Sequence, residues 1–448
     1  MGKYFGTDGI RGIVNETLDA LLAYKTGRAA ATVLGQESGG KPRVMIAKDT
    51  RISSSMIEAA MLAGLCSAGA DVSLLGVLPT PAAAYLTLHT GADMGIVISA
   101  SHNLFEHNGI KIFGRNGFKL SDALEERIEY YIDNDEASAV MKGKDLGRVS
   151  GDHGFWIGEY VQYLALTAEG RYTGRVAVDC ANGAASETAR ALFEAIDADF
   201  EIFSDEPDGV NINDKCGSTH LTALQETVKA GRFDVGFAFD GDADRCLVVD
   251  ERGEAVDGDM MLATYARAMR ASGALKGGGA VGTVVSNSGM DAYARINGFK
   301  FHRAAVGDRN VLEMMWGTGC NLGGESSGHL IFSDDATTGD GQLTAVKYLN
   351  VLGASGKTVS ELVGDIPSYP QVMPSFTLTG GTEQRDAIMN DRRLLDEIER
   401  QQELLAGEGR VLIRPSGTEP VIRVLVEAAT EQSALEIAGK FLKIMESI

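Results

Sequence analysis

Short apolar runs alternate along the chain with polar loops and with segments of helical spacing, and three stretches share one grammar. Each reads strand, polar loop, helix, small-residue turn, second strand. The first places a strand and its loop over 44–51, a helix over 53–68 and a strand over 71–75. The second spans 176–183, 187–195 and 199–203, and the third 281–289, 290–296 and 299–302. Strands alternating with amphipathic helices predict parallel α/β sheets, and the recurrence predicts three related domains. Ser53-Ser-Ser at the start of the first helix reads as an N-cap.

Punctuation follows the same pattern. Residues 133–154 are rich in charge, Gly and Ser and mark a first linker. Residues 250–257 read as a strand end and a turn into a helix beginning near Asp259. The stretch 364–374 holds three of the nine prolines and is the clearest break. Beyond it, a helix over 397–405, strands over 411–413 and 421–428, and a helix over 431–448 predict a compact α+β tail.

Asp240-Gly-Asp-Ala-Asp244-Arg245 interrupts two apolar runs, 233–239 and 246–249. Carboxylates at every second position of a short loop converge and repel, so a hard divalent cation with oxygen ligands is their natural partner. Magnesium keeps open positions for water and phosphate oxygens, which points to phosphoryl chemistry. The same aspartates match positions 1, 3 and 5 of a calcium loop, but Arg245 stands where that loop needs glycine and the flanks read as strands. A third reading makes Asp240 itself a phosphatase nucleophile.

With 448 residues the chain exceeds one core and predicts about three domains, with room for a fourth. Its 41 basic and 62 acidic residues give a net charge of −21. That balance opposes general binding to nucleic acid or anionic membrane and leaves a phosphorylated small molecule open, which needs only local positive charge. Five scattered cysteines without a CxxC spacing exclude a disulfide framework and structural zinc. The first residues lack the apolar stretch of a signal peptide, so a reduced, cytoplasmic protein is expected.

Other loops carry candidate chemistry. Ser101, beside His102 and Asn103, follows the apolar run 96–98, and Lys111 starts a second strand just beyond. Gly324-Glu-Ser-Ser-Gly328 matches a nucleophile elbow in letters, yet a strand follows where the elbow needs a helix. It reads instead as a sugar-hydroxyl site in which Glu325 and Ser327 face one way. Arg414-Pro-Ser-Gly-Thr-Glu-Pro420 lies between two strands, with Arg423 beyond. Its backbone N–H groups, hydroxyls and guanidiniums suit a phosphate. Two further matches fail. Gly277-Gly-Gly-Ala-Val-Gly282 precedes a strand where a dinucleotide fingerprint precedes a helix, and 353–358 lacks the first glycine of a P-loop.

Taken together, Phe5-Gly-Thr-Asp-Gly-Ile-Arg11-Gly, Ser99-Ala-Ser-His-Asn103, the 240–245 loop, Gly324-Glu-Ser-Ser-Gly-His329 and Arg414-Pro-Ser-Gly-Thr-Glu-Pro420 resemble the motifs of the α-D-phosphohexomutase family, in that family's order. The first and fourth are most similar to its bacterial phosphoglucosamine mutase branch. The resemblance implies four domains, expected at 1–150, 155–255, 256–366 and 372–448: three related α/β domains and a smaller α+β domain around a central cleft. It implies interconversion of glucosamine 6-phosphate and glucosamine 1-phosphate, feeding UDP-N-acetylglucosamine synthesis. The route is a phosphorylated Ser101 and a glucosamine 1,6-bisphosphate intermediate that also serves as primer. Ser101, Asp240, Asp242 and Asp244 would hold one Mg2+. Arg11, His102, Lys111, Arg245 and His329 would surround the transferring group, with Lys111 as acid/base. Glu325 and Ser327 would read the sugar, while Arg414, Ser416, Gly417, Thr418 and Arg423 would hold the other phosphate. A lysine among arginines is expected to have a depressed pKa.

Leu104 and Leu221 replace prolines common in the family, and Ser326 replaces a frequent glutamine. Without proline the serine loop loses one fixed φ. A homodimer is compatible with the resemblance. A phosphoglucomutase or phosphomannomutase, an Asp240 phosphatase and a phosphosugar sensor are the alternatives.

Overall fold

The computed structural model describes residues 2–405, 407–416 and 420–448, whose strands form four sheets. In the first, Asp71–Val77, Arg43–Lys48, Met94–Ile98 and His107–Gly114 lie side by side, joined parallel, parallel and antiparallel. The second repeats this order with Asp199–Phe203, Arg175–Asp179, Val235–Phe239 and Cys246–Asp250. The third repeats it with Lys300–Ala304, Gly279–Thr283, Leu322–Gly324 and Leu330–Phe332. The expected recurrence is thus three copies of one sheet core. The copies also share more than the strand–helix–strand grammar revealed. Each core ends on an antiparallel hairpin, and the three hairpin loops are those carrying Ser101, Asp240–Asp244 and Glu325–His329.

Other elements extend these cores. The hairpin Phe5–Gly6 and Gly9–Ile13 adds to one edge of the first sheet, through pairing with His107–Gly114. Val149–Gly151, from within the charge-rich 133–154 stretch, adds to the other edge. The fourth sheet is antiparallel, with Val421–Glu427 pairing Arg410–Pro415, Gln371–Val372 and Ser375–Thr377. Helices Arg392–Leu405 and Glu431–Glu446 accompany it as expected. A helix over Gly381–Met389 also forms; it buries only Ile388, too weak an apolar stripe to be legible.

One expected cap is absent. The helix runs Ser54–Ser67, and Ser53 makes no side-chain cap hydrogen bond. The hydroxyls are drawn elsewhere: Ser53 Oγ accepts from Asn108 Nδ2 at 2.9 Å, and Ser54 Oγ donates to Asp49 at 2.8 Å.

The second and third sheets share one apolar core, in which Phe237, Tyr265, Phe332 and Tyr348 are buried together. The fourth sheet has its own core around Val424 and Phe441 and meets the third through polar groups. Fully buried Glu427 accepts from the Ser288 amide at 3.0 Å, Gln371 Nε2 at 2.9 Å and Arg410 Nη2 at 3.1 Å. Asn287 and Tyr369 exchange two further hydrogen bonds of 2.8 and 3.1 Å. No helix among the described residues is long and apolar enough to cross a membrane.

Helices Ala20–Ser38 and Ser54–Ser67 cross in backbone contact. A Cβ added at Gly64 would meet the Tyr24 carbonyl oxygen at 2.1 Å and the Arg28 amide nitrogen at 2.8 Å. Both obstacles are backbone, so the helices must separate. Gly64→Ala is expected to lower stability by about 1–3 kcal/mol, the usual cost of overpacking. A urea midpoint equal to wild type would show that the pair yields freely.

Candidate active site

The strand Val235–Phe239 is buried throughout and delivers its carboxyl end, with Asp240, Asp242 and Asp244, into the interior. One ligand atom from each of the three lies within 4.8 Å of the others. From the first domain, Ser101 Oγ donates to Asp240 Oδ2 at 2.6 Å. Thr80 Oγ1 donates to Asp242 Oδ2 at 2.5 Å, and Lys111 Nζ donates to the same oxygen at 2.7 Å and to Asp244 Oδ2 at 3.2 Å. Two loops from different domains touch here backbone to backbone. A Cβ on Gly241 would meet the Ser101 carbonyl oxygen at 2.6 Å, so only glycine permits this approach.

The electrostatics of the cluster follow from its burial. Burial first, then the charges of Asp244 and Asp242, push the Asp240 carboxyl up to about 8. Burial also raises Asp244, but Lys111, His329 and Arg245 outweigh it and hold that carboxyl well below the ordinary range. Asp242 Oδ1 and Asp244 Oδ1 are buried with no hydrogen-bond partner. Clustered carboxylate oxygens, two of them unpartnered and one carboxyl driven toward its neutral form, fit a divalent cation.

The expected depression of Lys111 is reversed. Burial lowers its pKa, but Asp242, Asp244 and Asp8 outweigh burial and hold the ammonium well above its ordinary range. Three carboxylates reach this one nitrogen, Asp8 Oδ2 lying 3.3 Å away, a convergence with no local pattern in the sequence. His102 behaves oppositely. Burial, then the Arg245 and Arg11 charges, bring it down to about 4, so it is neutral near pH 7. Its Nδ1 lies 3.4 Å from Ser101 Oγ.

Ser101, Asp240, Asp242 and Lys111 are nearly fully buried beneath a cleft of about 650 Å3. Arg11, His102, Asp244, Arg245, Glu325 and His329 line that cleft, and Arg423 of the last sheet reaches it as well. Arg245 Nε stands 3.8 Å from Asp244 Oδ1 and 4.0 Å from Asp240 Oδ2.

The 325–329 loop joins two antiparallel strands, so the nucleophile-elbow alternative is ruled out by topology. Its turn is held by backbone: Glu325 N donates to His329 O, Gly328 N to Glu325 O, and Gly258 N to Ser326 O, at 2.9–3.0 Å. Glu325 Oε1 accepts from Gly307 N at 2.9 Å, and Ser327 Oγ is buried with no hydrogen-bond partner. The Gly339 amide donates to His329 Nε2 at 3.1 Å, which leaves the ring proton on Nδ1, 3.7 Å from Asp244 Oδ1.

In the last sheet, Arg414 and Arg423 stand directly opposite each other on neighbouring strands. Like charges in that register are unfavourable unless an anion joins them. Burial and the Arg423 charge lower the pKa of Arg414, and Arg414 Nε is buried without a hydrogen-bond partner. Ser416 N donates to Val421 O at 2.8 Å. Gly417 and Thr418 lie outside the described residues.

Four residues of this neighbourhood escaped the sequence reading. Asp8 pairs with Arg11, Lys111 and Lys119, and Lys119 also pairs with Asp308 at 2.6 Å. Asp8 sits inside the opening motif, where an acid three residues before Arg11 was a usable signal. Thr80 reads only as a helix start, and Lys119 and Asp308 have no local signature at all.

Models of the phosphoglucomutase/phosphomannomutase alpha/beta/alpha domains I, II and III match residues 2–139, 158–253 and 257–369, and the C-terminal domain matches 381–444. The phosphoglucosamine mutase of Shouchella clausii (strain KSM-K16) is 46% identical, covering 100% of this chain and 99% of its own. That of Acetivibrio thermocellus is 46% identical with the same coverage. A solved phosphoglucomutase/phosphomannomutase family protein from Burkholderia thailandensis superposes with a TM-score of 0.83 at 25% identity, over 100% of this chain and 98% of its own. Aspergillus fumigatus N-acetylphosphoglucosamine mutase, at 19% identity, shares the fold with a TM-score of 0.68 over 99% of this chain and 95% of its own. Four domain models, full-length relatives and the superposed fold agree, and the chain belongs to the phosphoglucomutase/phosphomannomutase family, the α-D-phosphohexomutases.

Proposed function

We propose that the chain is an isomerase that interconverts glucosamine 6-phosphate and glucosamine 1-phosphate, with Ser101 as the phosphoryl carrier. The observation that carries this reading is the single cleft lined by His102, Arg245, Glu325, His329 and Arg423, which draws on all four sheets' domains at once. A sugar carrying phosphate at either end needs this arrangement: charge for the transferring group, hydrogen-bonding groups for the ring, and a separate cation pair for the idle phosphate. Full-length identity of 46% to phosphoglucosamine mutases supports glucosamine as the sugar.

The steps balance with the chain's own groups. The phosphoryl group of Ser101 passes to the free hydroxyl of the bound sugar phosphate; the P–Oγ bond breaks and a P–O(sugar) bond forms. Lys111, held as the ammonium, acts as the acid/base group by giving a proton to the departing Ser101 Oγ and recovering the one that the sugar hydroxyl gives up. The resulting 1,6-bisphosphate turns over in the cleft, and its other phosphoryl group returns to Ser101 by the same chemistry in reverse. Arg11 and Arg245 stabilise charge on the transferring group, where such stabilisation supplies most of the rate. Glu325, Ser327 and His329 orient the ring. Arg414 and Arg423, with Ser416, Gly417 and Thr418, hold the idle phosphate. Asp240, Asp242, Asp244 and the Ser101 oxygen would hold Mg2+, which when bound withdraws charge from the phosphoryl group.

Four outcomes are expected. With magnesium and trace sugar bisphosphate, turnover of glucosamine 6-phosphate exceeds that of glucose and mannose 6-phosphates in a coupled assay; preference for a neutral hexose would reassign the sugar and keep the mechanism. EDTA removes turnover and magnesium restores it. Ser101→Ala abolishes turnover while its urea midpoint stays near wild type, and the wild-type phosphoenzyme resists hydroxylamine, unlike an acyl phosphate on Asp240. Arg414→Ala raises KM more than it lowers kcat, because it removes binding present throughout the reaction.

A further inference from the structure

Asp49 and Arg51 follow the strand Arg43–Lys48 in the Lys48-Asp-Thr-Arg51 segment, and nothing in the proposed chemistry uses them. Both are buried, and Arg51 Nε donates to Asp49 Oδ2 at 2.8 Å. The same carboxylate accepts from Ser54 Oγ at 2.8 Å and from Ser99 Oγ at 2.6 Å. Its orientation is therefore fixed from three sides, and it fixes the guanidinium in turn.

The other four N–H groups of Arg51 go to one place. Nη1 donates to the carbonyls of Asn103 and Leu104 at 2.9 and 2.8 Å, and Nη2 to those of Ser101 and Asn103 at 2.9 Å each. Every donor of the planar fork is used, a pattern a lysine cannot reproduce. From the second domain, Asn213 Nδ2 donates to the Ser101 and Asn103 carbonyls at 2.9 Å. The Ser101 amide donates to Ser99 Oγ at 3.0 Å, closing a circuit back to Asp49. Within it Ser101 has φ of +53°, a left-handed conformation that a non-glycine residue keeps only when its surroundings hold it.

A buried ion pair is a poor way to add stability compared with apolar packing, so its retention needs another reason. Here every guanidinium N–H not spent on Asp49 ends on the loop that carries Ser101. We infer that Arg51, oriented by Asp49 and assisted across the domain boundary by Asn213, is the positioning residue that holds Ser101 Oγ on Asp240. The fork also replaces the constraint that proline would give at position 104: Leu104 is held through its carbonyl, and its side chain is half exposed. This inference rests on Ser101 as the phosphoryl carrier.

The test compares Arg51→Lys, which keeps the charge beside Asp49 and loses the fork, with Asn213→Gly, which removes the second donor and tolerates the φ of +59° at that position. Turnover of glucosamine 6-phosphate and hydrogen exchange of amides 99–107 are measured on the full chain. In Arg51→Lys, kcat is expected to fall by about 100-fold with KM unchanged, the scale of a roughly 1 Å displacement of a reacting group. The loop amides exchange faster, while Arg43–Lys48 and Met94–Ile98 keep their protection. Asn213→Gly shows the same split more weakly, and carries the test if Arg51→Lys fails to fold. Unchanged kcat and loop protection in a folded variant would overturn the inference and leave the substrate assignment standing. Faster loop exchange in the variants of a wild type that turns over no sugar phosphate would overturn that assignment and leave the positioning role standing.

Discussion

Three carboxylates at the end of a buried strand cannot be left to themselves, and much of the molecule is arranged around that constraint. Their own domain supplies Arg245 nearby; the ammonium that sits between two of them, Lys111, comes from the first domain. So do the hydroxyls of Ser101 and Thr80. Charge compensation is thus also domain assembly. A buried carboxylate without a partner is costly, and meeting that cost brings the serine to the aspartates. The Gly241 contact shows how close the approach is, since even a methyl group would obstruct it.

The repeated sheet core explains why the chemistry converges. In each of the first three domains the reactive loop is the turn of the antiparallel hairpin that ends the core. One topology, used three times, presents the Ser101 loop, the acidic loop and the 325–329 loop from equivalent places. The fourth domain departs from this plan, with an antiparallel sheet and a core of its own, and meets its neighbour through Glu427 and the Asn287–Tyr369 pair. Such a polar junction gives little of the adhesion that a shared apolar core provides, which fits the proposed role of this domain in closing over phosphate and releasing it.

What was legible in the sequence was what local order determines. The 240–245 loop could be recognised because alternation in the flanking strands and the spacing of the aspartates are both local. The strand–helix–strand units were visible for the same reason. The Ser53 cap and the Lys111 pKa were misjudged because the deciding partners, Asp49 and Asn108 in one case and Asp8, Asp242 and Asp244 in the other, arrive from elsewhere in the fold. Lys119 and Asp308 were invisible for a stricter reason: their meaning lies in a pairing between domains, and neither stands in a distinctive local pattern.

The turn at 325–329 is shaped by main-chain hydrogen bonds, including the one from the Gly258 amide to the Ser326 carbonyl. The Ser326 side chain has no part in that scaffold. Replacing it therefore leaves those main-chain hydrogen bonds in place, so the residue at this position can change over evolutionary time without a matching loss of foldability. A lineage can try different side chains next to Glu325 by single changes, each passing through a folded protein.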